Sequence, residues 1–579
     1  MEKECNRISC RIAKINELCS MISDKKGLEH LSLMLIENNV KHIVFSPGSR
    51  NAPLIATFPR YKEFSCYSIV DERSAAFFAL GIAQKTGETV VLSCTSGSAV
   101  LNYAPALVEA FYQKIPLLVI SADRPENLID RGDGQTIRQR NIYANYIKKS
   151  VQLPENPNTK RSLVNYQKLA LSAIRATQTP DKGPAHINLP FTEPIYGEKE
   201  RENPVLTPFT HLNEKANILE SEFELLAKTW NSTKRKMIIV GQQKPNKALE
   251  SLLERMSQDP SVIILTETTS NISSPDFINC IDKTLASIPV EATDDFLPDL
   301  LITVHSNIVS KRIKAFLRSE KKYEHWHIDE ANETMDTYFH LSRVIPIESL
   351  SFFEKMEMLS EHNSSDYKAL WLNQKHKTER IHSDFLEKAP YCDLTVFDEL
   401  IKQIPANTNV HFANSTPVRY SQLFDLNPSL SVEANRGTSG IDGAISTAVG
   451  AAWVSEQMTT VISGDLSFFY DSNALWNNYI SPKLRIVVIN NKGGGIFRYI
   501  EGPSKMPELE QFFETKHHRE AKSLASEAGL HYLRADSLAS LKTVLADFFK
   551  SSEKAKLLEI FTPNELNAEI LRNYFKAMV

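Results

Sequence analysis

Two loops in the last third of the 579-residue chain carry oxygen ligands at a spacing suited to a hard cation. The apolar run Thr459–Ser463 ends in Gly464-Asp465-Leu466, and the run Arg485–Ile489 ends in Asn490-Asn491-Lys492-Gly493-Gly494. Asp465 and Asn491 stand 26 positions apart, the length of one strand–helix–strand excursion. A carboxylate and an amide oxygen can therefore meet beyond the carboxyl ends of parallel strands, where open α/β sheets bind ligands. Mg²⁺ takes such oxygens, keeps water, and shares its shell with substrate phosphates. The glycines allow backbone groups to approach a diphosphate closely.

A second acidic position lies near the start. Ser68–Val70 ends an apolar run, and Asp71-Glu72-Arg73-Ser74 opens an Ala/Phe-rich helix expected from about Ala75. Acids there commonly serve capping and the helix dipole. Arg50, Arg124, Arg419 and Arg436 sit in or just after strand-end loops, where planar guanidinium groups suit carboxylates.

The elements that must position these residues repeat one rhythm: a short β-branched run, a Gly/Ser-rich turn, then a helix-like segment. It occurs at Lys41–Phe45, Val90–Cys94 and Ile115–Ile120. It returns at Met237–Val240, Val262–Leu265, Leu300–Val304 and His325–Ile328, and again at Asn409–Phe412, Thr459–Ile462, Arg485–Ile489 and Lys556–Ile560. Alternating strands and helices predict parallel α/β sheets flanked by helices. The polar, Pro-punctuated stretch Pro190–Thr210 and the charged, strand-free Ser360–Pro390 separate three expected domains, at about 27–195, 205–360 and 390–579.

Composition narrows the classes. The chain is 42% hydrophobic and 23% charged with a formal net charge of −4, an ordinary globular balance. That charge gives no electrostatic case for nucleic acid or an anionic membrane. The seven cysteines form no CxxC pair and no zinc spacing, and read as reduced thiols. Met1–Lys26 carries charges throughout and lacks an apolar signal core; no run approaches a membrane span, so a cytoplasmic protein is expected.

The Gly-Asp pair followed by Asn-Asn resembles the thiamine-diphosphate signature. The resemblance implies a thiamine-diphosphate-binding fold of three domains, pyrimidine-binding, central α/β and diphosphate-binding. It also implies Mg²⁺ (or Mn²⁺) held by Asp465, Asn491 and the carbonyl of Gly493. Most of that superfamily has Gly where this chain has Leu466. Further segments narrow the match: Ser46-Pro-Gly-Ser-Arg50, Asp71-Glu-Arg73, Ala122-Asp-Arg-Pro125, Gly134-Gln135, Asn414-Ser415, Arg436-Gly-Thr-Ser-Gly-Ile-Asp-Gly443 and Gly494-Gly-Ile-Phe497. In this order they resemble the menaquinone-pathway family of 2-succinyl-5-enolpyruvyl-6-hydroxy-3-cyclohexene-1-carboxylate synthases, a branch that tends to carry Gly-Asp-Leu. In the middle of the chain the match rests chiefly on Lys311-Arg312 and the strand rhythm.

That resemblance implies decarboxylation of 2-oxoglutarate and conjugate addition of the succinyl carbanion to isochorismate. Glu72 is then the catalytic carboxyl group on the aminopyrimidine, and Ile441 the apolar wedge that bends the cofactor. Ser415, Gly464, Asp465, Leu466, Asn491, Ile496 and Phe497 complete the cofactor set. Ser49, Arg50, Arg124, Gln135, Lys311, Arg312, Arg419 and Arg436 become substrate-binding residues. The family also implies a homodimer, or a dimer of such dimers, with each cofactor clasped by two subunits. Rival readings are a pyruvate-using decarboxylase or acetohydroxyacid-type synthase, and a non-catalytic nucleotide-binding scaffold. A nicotinamide dehydrogenase is weaker, because Gly437, Gly440 and Gly443 have the wrong spacing for GxGxxG.

Overall fold

The computed structural model describes residues 21–202, 204–209, 218–305 and 307–579. The leader reading for Met1–Lys26 falls mostly outside these residues, as do Cys5, Cys10 and Cys19, and so do positions 203 and 210 of the first break. Two compact units are present. One takes the chain up to Asn213 with Ser446–Ser455 and Asp471–Ile480; the other takes Glu214–Ile445, Glu456–Tyr470 and Ser481–Val579.

The first unit holds a six-stranded parallel sheet in the order Ser65–Ser68, His42–Phe45, Val90–Cys94, Leu117–Asp123, Ala185–Pro190, Lys149–Gln152. Three of its inner strands, Val90–Cys94, Leu117–Asp123 and Ala185–Pro190, are buried along their whole length, because helices cover both faces of a parallel sheet. A small antiparallel ribbon joins Met21–Ser23 to Glu198–Glu200, a strand inside the stretch expected to be a break.

The helix Glu72–Thr86 begins three residues earlier than expected, because Asp71 takes the capping position and accepts the Ser74 N–H at 3.1 Å. It ends on Gly87, whose φ of 74° places it in the left-handed region. Segments from late in the chain brace this helix. A Cβ on Gly81 would lie 1.9 Å from the Thr447 carbonyl oxygen, and one on Gly450 would lie 2.0 Å from that of Phe78. The two backbones therefore touch through a glycine on each side. Asp71 Oδ2 also accepts from Asn473 Nδ2 at 2.7 Å.

The second unit carries two parallel sheets. One has five strands, in the order Val262–Thr266, Lys236–Val240, Leu300–Val304, Glu324–Ile328, Leu341–Ile345. The other has six, in the order Ser431–Glu433, Asn409–Phe412, Thr459–Gly464, Leu484–Asn490, Lys556–Phe561, His531–Ala535. Ser360–Pro390 contains the helix Tyr367–Lys388 and no strand, as its composition implies. In all three sheets the chain reverses its direction of strand addition beside its first strand. Those reversals are topological switch points, where crevices open beyond the strand ends.

Candidate active site

In the six-stranded sheet of the second unit the switch lies between Asn409–Phe412 and Thr459–Gly464. The loops leaving these strands and Leu484–Asn490 line a cavity of about 160 Å³. Ser415, Ile441, Gly464, Asp465, Leu466, Asn491, Gly493, Ile496 and Phe497 all face it. The entire cofactor and metal set expected in this part of the sequence is thus collected in one cleft.

Asp465 opens the helix Asp465–Tyr470 and is 2% exposed. Its Oδ2 accepts the Gly493 N–H at 3.0 Å, and Oδ1 accepts that of Leu466 at 2.7 Å. His517 Nε2 lies 3.3 Å from Oδ2. The Asn491 amide nitrogen points to Asp393 Oδ2 at 3.5 Å, leaving Oδ1 buried without a hydrogen-bond partner. An orphaned buried acceptor beside a buried carboxylate suits a hard cation. Among the described residues no three His, Cys, Asp or Glu side chains converge as a metal cage. A cation here would draw its other ligands from backbone, water and phosphate, the usual habit of Mg²⁺. Gly493 has a φ of 154°, and a Cβ there would lie 2.7 Å from the Glu514 carbonyl oxygen, so only glycine fits. These residues fit thiamine diphosphate with a divalent metal.

Asp393, which the sequence alone did not single out, holds this cleft in shape together with residues of the expected motifs. Asp393 sits at the start of the helix Asp393–Gln403, far from the glycine-rich loops in sequence. Burial pushes its carboxyl up to about 6, and Asp465 adds to the rise, against hydrogen bonds from Thr562 and Asn491. Ser467 Oγ donates to the Ile441 carbonyl at 2.6 Å and so fixes a side chain that stays 40% exposed. Asn414 Nδ2 donates to the carbonyls of Asn435 (2.6 Å) and Gly440 (2.7 Å), while its Oδ1 accepts from Arg436 Nη1 at 2.8 Å. Ser415 has a φ of 73°, costly backbone for a non-glycine residue and frequent at functional sites.

Arg419 lies in the helix Thr416–Ser421; burial lowers its pKa, opposed by Asp282, and its Nε is buried without a partner. Lys311 is exposed at the start of the helix Lys311–Leu317. Arg312 stacks over the Phe575 ring at 4.2 Å. That contact satisfies a guanidinium face and leaves its edge for other partners.

In the first unit the switch lies between His42–Phe45 and Val90–Cys94. The Arg50 N–H donates to Thr95 Oγ1 at 3.2 Å across it. The Arg50 side chain is 3% exposed, with Nη1 donating to the Phe191 carbonyl at 2.9 Å and Nη2 2.8 Å from Glu193 Oε1. Arg124 Nη2 donates to the Gly134 carbonyl at 3.3 Å, which sets it beside the exposed, positive-φ Gln135. Ser49 is exposed on the loop before Arg50. A buried network of Gln139, Asn188 and Asp123 supports this rim. Gln139 Oε1 accepts the Gly97 N–H (2.9 Å), Asn188 Nδ2 donates to Asp123 Oδ2 (2.7 Å), and Asp123 Oδ1 accepts the Arg124 N–H (2.7 Å). Nothing in the sequence around Gln139 or Asn188 singles them out.

Glu72 is half-buried at the first position of its helix. Since Asp71 is the cap, Glu72 is not committed to the helix end; its Oε2 accepts from Asn102 Nδ2 at 3.4 Å. Of the two acids at this terminus, the one not spent on the cap is the one expected to do chemistry.

Comparison with known proteins identifies the family. Residues 25–142 match the family model described as thiamine pyrophosphate enzyme, N-terminal TPP binding domain, and residues 207–412 match the middle domain of thiamine pyrophosphate enzymes. A Christiangramia forsetii protein named 2-succinyl-5-enolpyruvyl-6-hydroxy-3-cyclohexene-1-carboxylate synthase is 44% identical over 94% of this chain and 97% of its own length. Proteins of the same name from Flavobacterium johnsoniae (44%, 93% and 96%) and Porphyromonas gingivalis (39%, 96% and 97%) are similar throughout.

Proposed function

The chain belongs to the 2-succinyl-5-enolpyruvyl-6-hydroxy-3-cyclohexene-1-carboxylate synthase family of thiamine-diphosphate enzymes, and we propose that its substrates are 2-oxoglutarate and isochorismate. It is a transferase of menaquinone biosynthesis that uses thiamine diphosphate. The observation that carries the site assignment is the pairing of the buried Asp465 carboxylate with the unpartnered Asn491 Oδ1 at a switch point.

In this reading residues 27–195 bind the pyrimidine, 205–360 form the central domain and 390–579 bind the diphosphate. Asp465, Asn491 and the Gly493 carbonyl hold Mg²⁺ or Mn²⁺, with Ser415, Gly464 and Leu466 around the cofactor and Ile441, Ile496 and Phe497 as its apolar wall. Bound thiamine diphosphate supplies the carbon nucleophile and the electron sink for decarboxylation. Glu72 would hold the aminopyrimidine end through its carboxyl group and pass a proton across that hydrogen bond. Arg419 and Arg436, desolvated or fixed by Asn414, bind carboxylates of the two anionic substrates. Arg50, Arg124, Lys311 and Arg312, with Ser49 and Gln135, hold the remainder. Fixed guanidinium groups lower the cost of bringing two anions together.

The decisive experiment is mass analysis of products after incubation with thiamine diphosphate, Mg²⁺, 2-oxoglutarate and isochorismate. Carbon dioxide release from pyruvate instead would replace the substrate assignment. We assign the protein to the cytoplasm, supported by the absence among the described residues of any helix long and apolar enough to cross a membrane. We also assign a homodimer, alone or paired with a second dimer. In it each site takes Glu72 from one chain and Asp465 from the other. Co-expressed Glu72→Ala and Asp465→Ala chains should regain roughly a quarter of wild-type activity through mixed dimers. Mixed dimers with no activity would reject that assembly.

A further inference from the structure

Glu267 follows the strand Val262–Thr266 and is 3% exposed. Its two oxygens accept consecutive backbone N–H groups: Oε2 that of Val309 and Oε1 that of Ser310, both at 2.7 Å. Ser310 is the N-cap of the seven-residue helix Lys311–Leu317, with Oγ accepting the Ile313 N–H at 3.0 Å and donating to Asp282 Oδ1. One buried carboxylate therefore grips the turn directly ahead of Lys311 and Arg312, and a second grips its hydroxyl group. Arg436 lies within electrostatic reach of Glu267, and Arg312 and Arg419 within reach of Asp282. The helix needs such a grip. Two cations in its first turn oppose the helix dipole, and the neighbouring arginines repel them further. A serine cap alone would start the helix without burying a carboxylate, which is expensive to desolvate.

We infer that Glu267 is a positioning residue for substrate binding: through the Val309 and Ser310 N–H groups it fixes the helix start that presents Lys311 and Arg312, with Asp282 as its partner. This rests on the reading of Lys311 and Arg312 as substrate cations. A carboxyl group is required because both oxygens must accept. Glutamine would turn an NH₂ group toward one of the two N–H donors. Burial pushes the Glu267 carboxyl up to about 7, with Asp282 raising it further, against the two N–H groups and Arg436. Lys314 and Tyr338 are the other ionisable groups that face it. Because its pKa is raised in the folded protein, Glu267 binds its proton more tightly in the closed turn than in the opened one, so the turn is most stable below that pH and loses stability as pH rises through it.

The test uses the enzyme with thiamine diphosphate, Mg²⁺ and both substrates, comparing Glu267→Gln, Arg312→Ala and the double variant. Arg312→Ala should raise KM for one substrate. Glu267→Gln should raise that same KM about tenfold, as for one buried hydrogen bond, with kcat and cofactor affinity nearly unchanged. The two changes should be less than multiplicative in that KM, because Glu267→Gln then has no Arg312 left to misplace, which a general loss of stability would not produce. If Arg312→Ala raises KM and Glu267→Gln does not, or the two effects multiply, the inference is overturned. If Arg312→Ala leaves both KM values unchanged, the substrate role of the pair fails first, and the inference with it. Should Glu267→Gln not fold, the wild-type protein decides by hydrogen exchange. After correction for intrinsic exchange, protection of the Val309 and Ser310 amides, relative to strand Leu300–Val304, should rise about tenfold from about pH 8 to about pH 6, because the opened turn releases the proton that the closed one holds. Constant protection across that range overturns the inference.

Discussion

The switch points of the first and last sheets share one topology and are filled in opposite ways. At the first, Arg50 is folded into the protein: Nη1 is spent on the Phe191 carbonyl, Nη2 on Glu193 and its backbone N–H on Thr95. At the last, Asn491 Oδ1 is left without a partner, Ser415 sits in costly backbone, and Asp465 keeps a carboxylate buried beside glycines. The first rim is cationic and, beyond the buried Nε atoms of Arg50 and Arg124, supplied with partners; the second is oxygen-rich and lacks a donor for a buried acceptor. Topology chooses where a crevice opens, and the loop residues choose the sign of what it holds.

The strongest way to break this contrast is at the incomplete site. Asp465→Ala should abolish Mg²⁺-dependent binding of thiamine diphosphate, and activity with it, in a protein that still folds. Calorimetry that finds unchanged affinity would remove the metal assignment. Glu72→Gln comes next. Because Asp71 rather than Glu72 caps the helix, the variant should fold and bind cofactor normally, yet lose activity by about 10²–10⁴-fold. Turnover near wild type would exclude Glu72 from proton handling.

Arg436→Ala should weaken use of a carboxylate substrate by roughly 2–5 kcal/mol and leave cofactor binding alone. It also frees Asn414 Oδ1, so Arg436→Lys offers a control that keeps charge without the fork. If both substrates keep their KM and kcat in Arg436→Ala, that arginine touches neither. Gly450→Ala tests the brace of the Glu72 helix. Its Cβ would press on the Phe78 carbonyl, backbone that cannot yield, so a loss of about 1–3 kcal/mol in stability is expected on thermal unfolding. An unshifted Tm would show that the two helices part freely. The smallest effect belongs to Ser467→Ala, which removes the bond to the Ile441 carbonyl. A loss near 1 kcal/mol, seen as a few-fold weaker cofactor affinity, is expected.

Most central strands were legible in the sequence because a strand covered by helices on both faces is mostly apolar; Ala185–Pro190, equally buried but interrupted by His186 and Asn188, was not. Val90–Cys94, Leu300–Val304 and Thr459–Gly464 are buried throughout or nearly so. Lys149–Gln152, Ser431–Glu433 and His531–Ala535 were not legible. Each is an edge strand, polar on its exposed side, and carries no run to detect. The expected break at Pro190–Thr210 hid Glu198–Glu200 for the same reason: its residues are all charged, and only pairing with Met21–Ser23 makes them a strand.

The sequence by itself determined the loops that face the cleft, since Gly-Asp-Leu, Asn-Asn and their glycines are local in sequence and bound by the backbone they require. Gly493 must be glycine because of one carbonyl, and Asp465 must follow a strand to reach the crevice. Only the tertiary structure decided which groups hold those loops still. Asp393 reaches Asn491 across 98 positions, Gly450 meets Phe78, and Glu267 grips the turn at Val309 and Ser310. Such partners are single side chains or bare backbone contacts brought from distant segments. A hydrogen bond or a close approach leaves no periodicity and no spacing in the chain, so folding alone reveals it.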